Sequence, residues 1–278
     1  MTTSTTATTA ARDGTPIHLR HWAAAIEPWA FVLLVHGLAE HSGRYEHVGG
    51  WLADAGIDTT SYDLRGFGAS GGRRAWAERW DHHHDDLEER LRDVRVAAGG
   101  RPVALYGHSL GALIAAGYVL ADPSRPLPDA LVVSAPAIES SIPRRQRALA
   151  RLLARVSPTT EMANPFDGAA LSRDPSVAER YLADPLDYHR TTVRLATDAF
   201  VEQERVTAAL GRLAIPTLVY HGEDDRLVPT ETSRPFGDLP NVTRRTYPGL
   251  RHESHNEPEG EQVIADAVAW LRSVLEST

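Results

Sequence analysis

Short runs of apolar and β-branched residues recur along the chain: "IHLRHW" (17–22), "FVLLV" (31–35), "IDTTSY" (57–62), "PVALY" (102–106), "ALVVS" (130–134) and "PTLVY" (216–220). Continuous apolar runs of this length suit strands covered on both faces. Between them the period changes to that of a helix. Trp80, His84, Leu87, Leu91 and Val94 fall on one helical face, and Gly99-Gly100 ends that helix. A second helical pattern follows Ser109, and a last one fills "QVIADAVAWLRSVL" (262–275). Strands alternating with helices predict an α/β fold, a doubly wound and mostly parallel sheet, with an antiparallel hairpin at its N-terminal edge. The alternation stops from 137 to 197, where there is no convincing strand and helix-like pieces are broken by Pro and Asp in "NPF", "SRDP" and "ADPLDY". This stretch reads as a helical cap inserted at the C-terminal edge of the sheet. The core is then 12–136 and 198–278, and the Thr-rich residues 1–11 read as a disordered tail.

Composition narrows the function classes. A chain of 278 residues is long enough for one large core, with roughly three quarters of its unfolded surface buried. A net charge of −8 argues against nucleic acid, whose phosphates call for a basic patch. Without cysteine there is no disulfide, thiolate chemistry or Cys-based zinc site. "MTTSTTATTA" lacks the basic and apolar regions of a signal peptide. No apolar run approaches the ~20 residues of a membrane helix, so a cytoplasmic protein is expected, with its oligomeric state open.

"GHSLG" (107–111) places Ser109 in G-x-S-x-G after a strand and before a helix, the setting a nucleophile elbow requires. A serine hydroxyl is a poor nucleophile at neutral pH and needs a base oriented by a carboxylate. On such a sheet the order is Ser, then Asp or Glu, then His. "HGEDDRLVP" after "PTLVY" offers Asp224 and Asp225, and "YPGLRHESHNEP" after "VTRRTY" offers His252 and His255. Spacing alone does not choose within either pair. An oxyanion hole needs two donors: the N–H of Leu110, next to the serine, and one from the loop after an early strand. His36-Gly37-Leu38 lies there, with Leu38 as the donor and Gly37 letting the backbone approach the substrate.

Several longer stretches, "HGLAEHSGRYEHV", "YDLRGFGASGG", "GHSLGA", "SRDPSV", "DPLDYH", "GEDDRLVP" and "YPGLRHESHNEP", resemble the monoacylglycerol lipase family of α/β-hydrolases, its actinobacterial members in particular. The resemblance runs from about residue 12 to near the end. It implies Ser109 as nucleophile, Asp225 as acid and His252 as base. It also implies a fatty-acid monoester of glycerol as substrate, with no metal or organic cofactor. Glu40, Arg44 and His255 resemble polar positions near the glycerol head, and His108 joins them as a candidate substrate contact. "HRTTVRL" (189–195) replaces the family's Gly-Arg-Val-Pro-like turn. A lysophospholipase, a general carboxylesterase or a peptidase would use the same triad, and a ligand receptor with little turnover could retain it.

Two further patterns stand out. "DHHHDD" (81–86) suggests metal, but consecutive helical residues point about 100° apart, so His84 reads as a core residue beside Trp80 and Leu87. In "PRRQRALARLLARV" (143–156), Leu149, Leu152, Leu153 and Val156 share one face, opposite Arg144, Arg147, Arg151 and Arg155. Either the apolar side covers a cavity, or the helix lies on an anionic membrane surface.

Overall fold

The computed structural model describes residues 2–140, 142–164 and 168–276. Ten strands are seen among them: β1 (Thr5–Ala10), β2 (Pro16–Trp22), β3 (Ala30–Val35), β4 (Ile57–Tyr62), β5 (Val103–His108), β6 (Ala130–Ser134), β7 (Glu161–Ala163), β8 (Arg190–Thr192), β9 (Thr217–Gly222) and β10 (Val242–Tyr247). Eight form one sheet in the order β1-β2-β4-β3-β5-β6-β9-β10. From β4 to β10 all neighbours run parallel, while β1, β2 and β4 pair antiparallel.

Side chains of a strand alternate between the two faces of a sheet, and here each face has its own core. Phe31, Leu33, Val35, Leu105 and Val133 pack on one face with α2 (Asp81–Ala98), α3 (Leu110–Ala121) and α6 (Val193–Ala209). Val32, Leu34, Tyr106, Val132 and Tyr220 pack on the other with α1 (Glu46–Asp54) and α8 (Gly260–Leu275). Trp80, His84, Leu87, Leu91 and Val94 are all buried, as the helical period predicts, and Gly99 closes α2 in the left-handed conformation.

Three expectations need correction. Residues 5–10 of the expected tail form β1, the outer strand of the edge hairpin, with Thr5 opposite His21 and Ala10 opposite Pro16. Threonine is β-branched and favours the extended backbone, so a polar composition did not mean disorder. The insertion contains strands after all, since β7 and β8 pair antiparallel; three residues each are too few for a periodic signal. Its end is also not at 197, because α6 crosses that position without a break and packs on the core. Among its described residues the insertion also holds α4 (Arg144–Val156), a short helical turn (Gly168–Ala170) and α5 (Pro175–Ala183). The remaining helix, α7 (Arg234–Gly237), lies between β9 and β10.

The strand order fixes where chemistry belongs. From β3 the chain moves outward to β4, then crosses back to β5 on the other side of β3. The loops leaving the C-terminal ends of β3 and β5 therefore part in opposite directions and open a crevice, the usual ligand position in such sheets.

Candidate active site

Ser109 stands at that crevice, between β5 and α3, with φ +52° and ψ −112°. A non-glycine residue with positive φ is strained, and its surroundings hold it there. Its N–H donates to Ser134 O at 2.9 Å, and its carbonyl accepts from Leu113 N at 3.1 Å. The flanking glycines make the turn possible: a Cβ on Gly107 would lie 2.5 Å from Gly111 O, and one on Gly111 would lie 2.2 Å from Val35 O.

Within the carboxylate pair the geometry separates the members. Asp225, buried in the loop after β9, accepts a 2.7 Å hydrogen bond from His252 Nδ1 and a 3.0 Å bond from His221 Nε2 at Oδ2. Leu227 N and Val228 N donate to its Oδ1 at 2.8 and 2.9 Å. Burial alone would push the Asp225 carboxyl up; facing His252 and His221 and the backbone donors hold it well below the usual carboxylate range. Asp224 is exposed. The buried His252 is in turn pulled down by desolvation and raised more strongly by Asp225, so its affinity for a proton ends above the ordinary value. With Nδ1 on Asp225, its Nε2 is left for the crevice, and Ser109 and His252 line the same cavities.

Leu38 and Leu110 also line the crevice. Leu110 opens α3, and first-turn amides of a helix lack intrahelical partners. The β3 loop is drawn tight around Gly37, where a Cβ would meet Glu40 Oε1 at 2.7 Å and Ser109 Cβ at 3.3 Å. Glu40 braces this loop by accepting from Gly37 N at 2.5 Å and Tyr45 Oη at 2.8 Å.

Two cavities meet at Ser109. The larger, about 340 Å³, is mostly apolar, with Leu113, Ile142, Met162, Leu195, Phe200 and Val228 among its lining. The smaller, an annex of about 20 Å³, is lined by Gly37, Glu40, Arg44, His108, Tyr181 and Glu253 on its polar side and by Leu38, Leu171 and Leu227, and it shares Ser109 and His252 with the larger. Gly37, Glu40, Arg44 and His108, the candidate substrate contacts, line this annex. His255 does not: it is fully buried, stacked on Tyr45 at 5.0 Å and edge-on to His108 at 4.9 Å, and lines neither cavity. It sits one turn beyond His252 on a short helical segment (Ser254–Asn256), which rotates its ring away from the crevice. Sequence reasoning missed Glu253, Asp187, His221 and Tyr181. Only Glu253 carried a signal, as the acidic neighbour of the base.

The amphipathic helix α4 is turned the other way from a cavity cover. Arg147 lies over the Phe200 ring at 5.7 Å and donates to Ile142 O at 2.8 Å. Arg151 Nη2 donates to the Glu204 carboxylate at 2.9 Å. Both contacts hold the arginine side against α6, while Leu149, Leu152 and Val156 are 66%, 57% and 78% exposed. The side chain of Arg144 lies outside the described residues. Among the described residues no cluster of His, Asp and Glu could hold a metal ion, and no helix is long and apolar enough to cross a membrane.

The chain is similar to known proteins. The model of the family described as serine aminopeptidase, S33 (Hydrolase_4) matches residues 26–259. The monoacylglycerol lipase of Mycolicibacterium smegmatis is 34% identical over 267 residues, which cover 91% of this chain and 92% of that protein. The crystal structure of Paleococcus ferrophilus monoacylglycerol lipase matches with a TM-score of 0.83 at 31% identity, over 93% of this chain and 99% of that one. A soluble variant of the Saccharomyces cerevisiae monoglyceride lipase, solved with a substrate analogue, matches in fold with a TM-score of 0.88 at 22% identity, over 99% of this chain and 97% of that one.

Proposed function

The chain belongs to the serine aminopeptidase, S33 (Hydrolase_4) family and has the α/β-hydrolase fold, and from that premise we propose that it is a serine esterase hydrolysing monoacylglycerols to fatty acid and glycerol. One observation carries the reading: Ser109, on its strained turn, and the His252–Asp225 pair stand where an apolar cavity meets an annex lined by Glu40, Arg44 and Glu253. The 340 Å³ cavity suits an acyl chain, since an apolar lining cannot solvate a charged peptide terminus. The annex suits the hydroxyls of the alcohol.

In this mechanism Ser109 Oγ attacks the ester carbonyl as His252 Nε2 takes its proton. Asp225 fixes the ring and stabilises the imidazolium. The N–H groups of Leu38 and Leu110 receive the oxyanion. His252 then returns the proton to the leaving glycerol oxygen, the C–O bond breaks, and the acyl group stays on Ser109. Water, activated by His252, repeats the cycle and releases the fatty acid. Ser109→Ala, Asp225→Asn and His252→Ala should each lose turnover of monooleoylglycerol by at least about 10³-fold while keeping the wild-type melting profile. Asp224→Asn and His255→Ala should keep the chemistry. Near-wild-type turnover in a triad variant removes that residue from the mechanism.

The exposed leucine face of α4 supports a second element of the reading, transient contact with a lipid surface through the insertion. An apolar helix face rimmed by basic residues lies in the headgroup region of a bilayer, and Ile142 and Met162 of the cavity wall are exposed as well.

A further inference from the structure

Away from the crevice, a cavity of about 290 Å³ opens between α2 and the edge hairpin, and it shares no lining residue with the cavities at Ser109. Phe31 and Val94 are its buried floor, while Thr5, Thr6 and Ala97 stand at its exposed rim. From α2 it takes Arg90, Val94 and Ala97, whose spacing puts them on one helical face. Arg90 and Ala97 are therefore about 10 Å apart along the helix axis. The volume is close to the ~300 Å³ at which cavities begin to hold small organic ligands.

The polar part of this wall is Arg90. It is 4% exposed, and a guanidinium taken out of water needs acceptors for its donors. Its Nε donates to Asp93 at 3.0 Å, and Nη2 reaches Glu89 Oε2 only at 3.5 Å. Nη1 is buried and has no hydrogen-bond partner among the described residues. Neither acid belongs to Arg90 alone. The Asp93 side chain is 65% exposed to water, and Glu89 also accepts from the Arg12 N–H at 3.1 Å. The other charged pair in the wall, His21 and Asp58, is closed on itself at 2.8 Å. The cavity thus combines an apolar floor with one buried cation that has a donor to spare.

We propose that this cavity is a second ligand site, for a medium-chain monocarboxylate of the fatty-acid class, with the carboxylate on Arg90 and the chain over Phe31 and Val94 toward Ala97. A carboxylate makes a stronger bond to a guanidinium than a neutral acceptor does, and it ends the isolation of Nη1. The chain displaces water from the apolar floor. Such an occupant touches β1, β2, β4 and α2 together, so it ties the edge hairpin to the body of the sheet and raises the Tm by mass action. The site goes beyond the hydrolysis proposed above and does not depend on Ser109.

The test uses the full chain with octanoate, octan-1-ol and octylammonium, followed by titration calorimetry and by the Tm. Octanoate should bind at least about 10-fold more tightly than the uncharged alcohol or the cation, and should raise the Tm most. Ala97→Trp, a change at the exposed rim that fills the cavity, should weaken this octanoate site by about 10-fold or more. Arg90→Leu should bring octanoate down to the affinity of the alcohol. Inhibition of 4-nitrophenyl acetate hydrolysis by octanoate reports the cavity at Ser109 instead, and should be the same in Ala97→Trp as in the wild type. Octanoate affinity unchanged in a folded Ala97→Trp would place the ligand elsewhere and overturn the proposal. Equal binding of acid and alcohol by the wild type, or a folded Arg90→Leu that still prefers the acid, overturns it as well. Should Arg90→Leu fail to fold, Ala97→Trp and the comparison of acid with alcohol decide the matter. A protein that hydrolyses no ester but binds octanoate in this way would sink the esterase reading and leave the present one standing.

Discussion

At Gly111 an added methyl would stand 2.2 Å from Val35 O and 2.5 Å from His36 O, the carbonyls that lead β3 into the loop of Leu38. Neither can retreat without shifting the other half of the crevice. Gly111→Ala should therefore cost about 1–3 kcal/mol, seen as a lower Tm, and should reduce esterase turnover more than the stability loss explains. An unchanged Tm would show that the α3–β3 contact is looser than described. The G-x-S-x-G spacing made this turn legible, because both glycines answer a local need. Spacing narrowed the acid only to a pair, and the family resemblance alone pointed to Asp225: the hydrogen bonds that distinguish it from Asp224 come from His221 and His252, four and 27 residues away. His255 was misplaced for the same reason, since one turn of helix sends two nearby histidines in different directions.

For whole elements, periodicity predicted the strands and long helices well but could not orient α4. Amphipathic spacing states that two faces differ, not which one meets the protein. Glu204 and Phe200 on α6 made the arginine side the inner one, through contacts 53 residues apart. The consequence for binding is direct. Arg147 and Arg151 are engaged with Phe200 and Glu204, whereas Leu149 and Leu152 face outward without such partners. Leu149→Ser with Leu152→Ser should weaken partitioning onto phosphatidylcholine vesicles by on the order of 10-fold, from the partial burial each leucine loses. Hydrolysis of soluble 4-nitrophenyl acetate should stay within about twofold. Vesicle binding that survives the double substitution would mean that another surface makes the contact.

Across the whole molecule, burial of ionisable groups sets the acid limit. Desolvation lowers His36 to about 4 and His83 and His84 to about 3, and holds His108 and His255 well below 6.5. Below pH 6.5 the unfolded chain takes up protons at these positions and the native one does not, so their stabilisation is complete above that pH and is lost as pH falls toward 3. Burial works the opposite way for Glu202, raised to about 7, and Asp187, raised to about 8, and it also raises Glu40, Asp86 and Asp198. These carboxyls offset part of the loss, while His47, lowered by burial as well, adds to it. The Tm should fall from pH 6.5 to 4. A Tm constant over that range would mean that these imidazoles are charged in the native state. The strand order that sets the crevice was only partly legible, since alternation predicts a parallel sheet but not the crossing from β4 back to β5.

The hairpin at the N-terminal edge has a consequence for how the molecule meets its own copies. A sheet border is a row of open amides and carbonyls that invites another strand to join. On this side the border is β1, mostly exposed threonines and alanines, with no large apolar side chain to reward a neighbour for lining up. Were that strand stripped off, the rim would pass to β2, whose amides and carbonyls β1 now pairs from Pro16 to His21. The stretch that looks most dispensable in the sequence is therefore a selvedge, finishing the cloth so that it does not knit to the next piece.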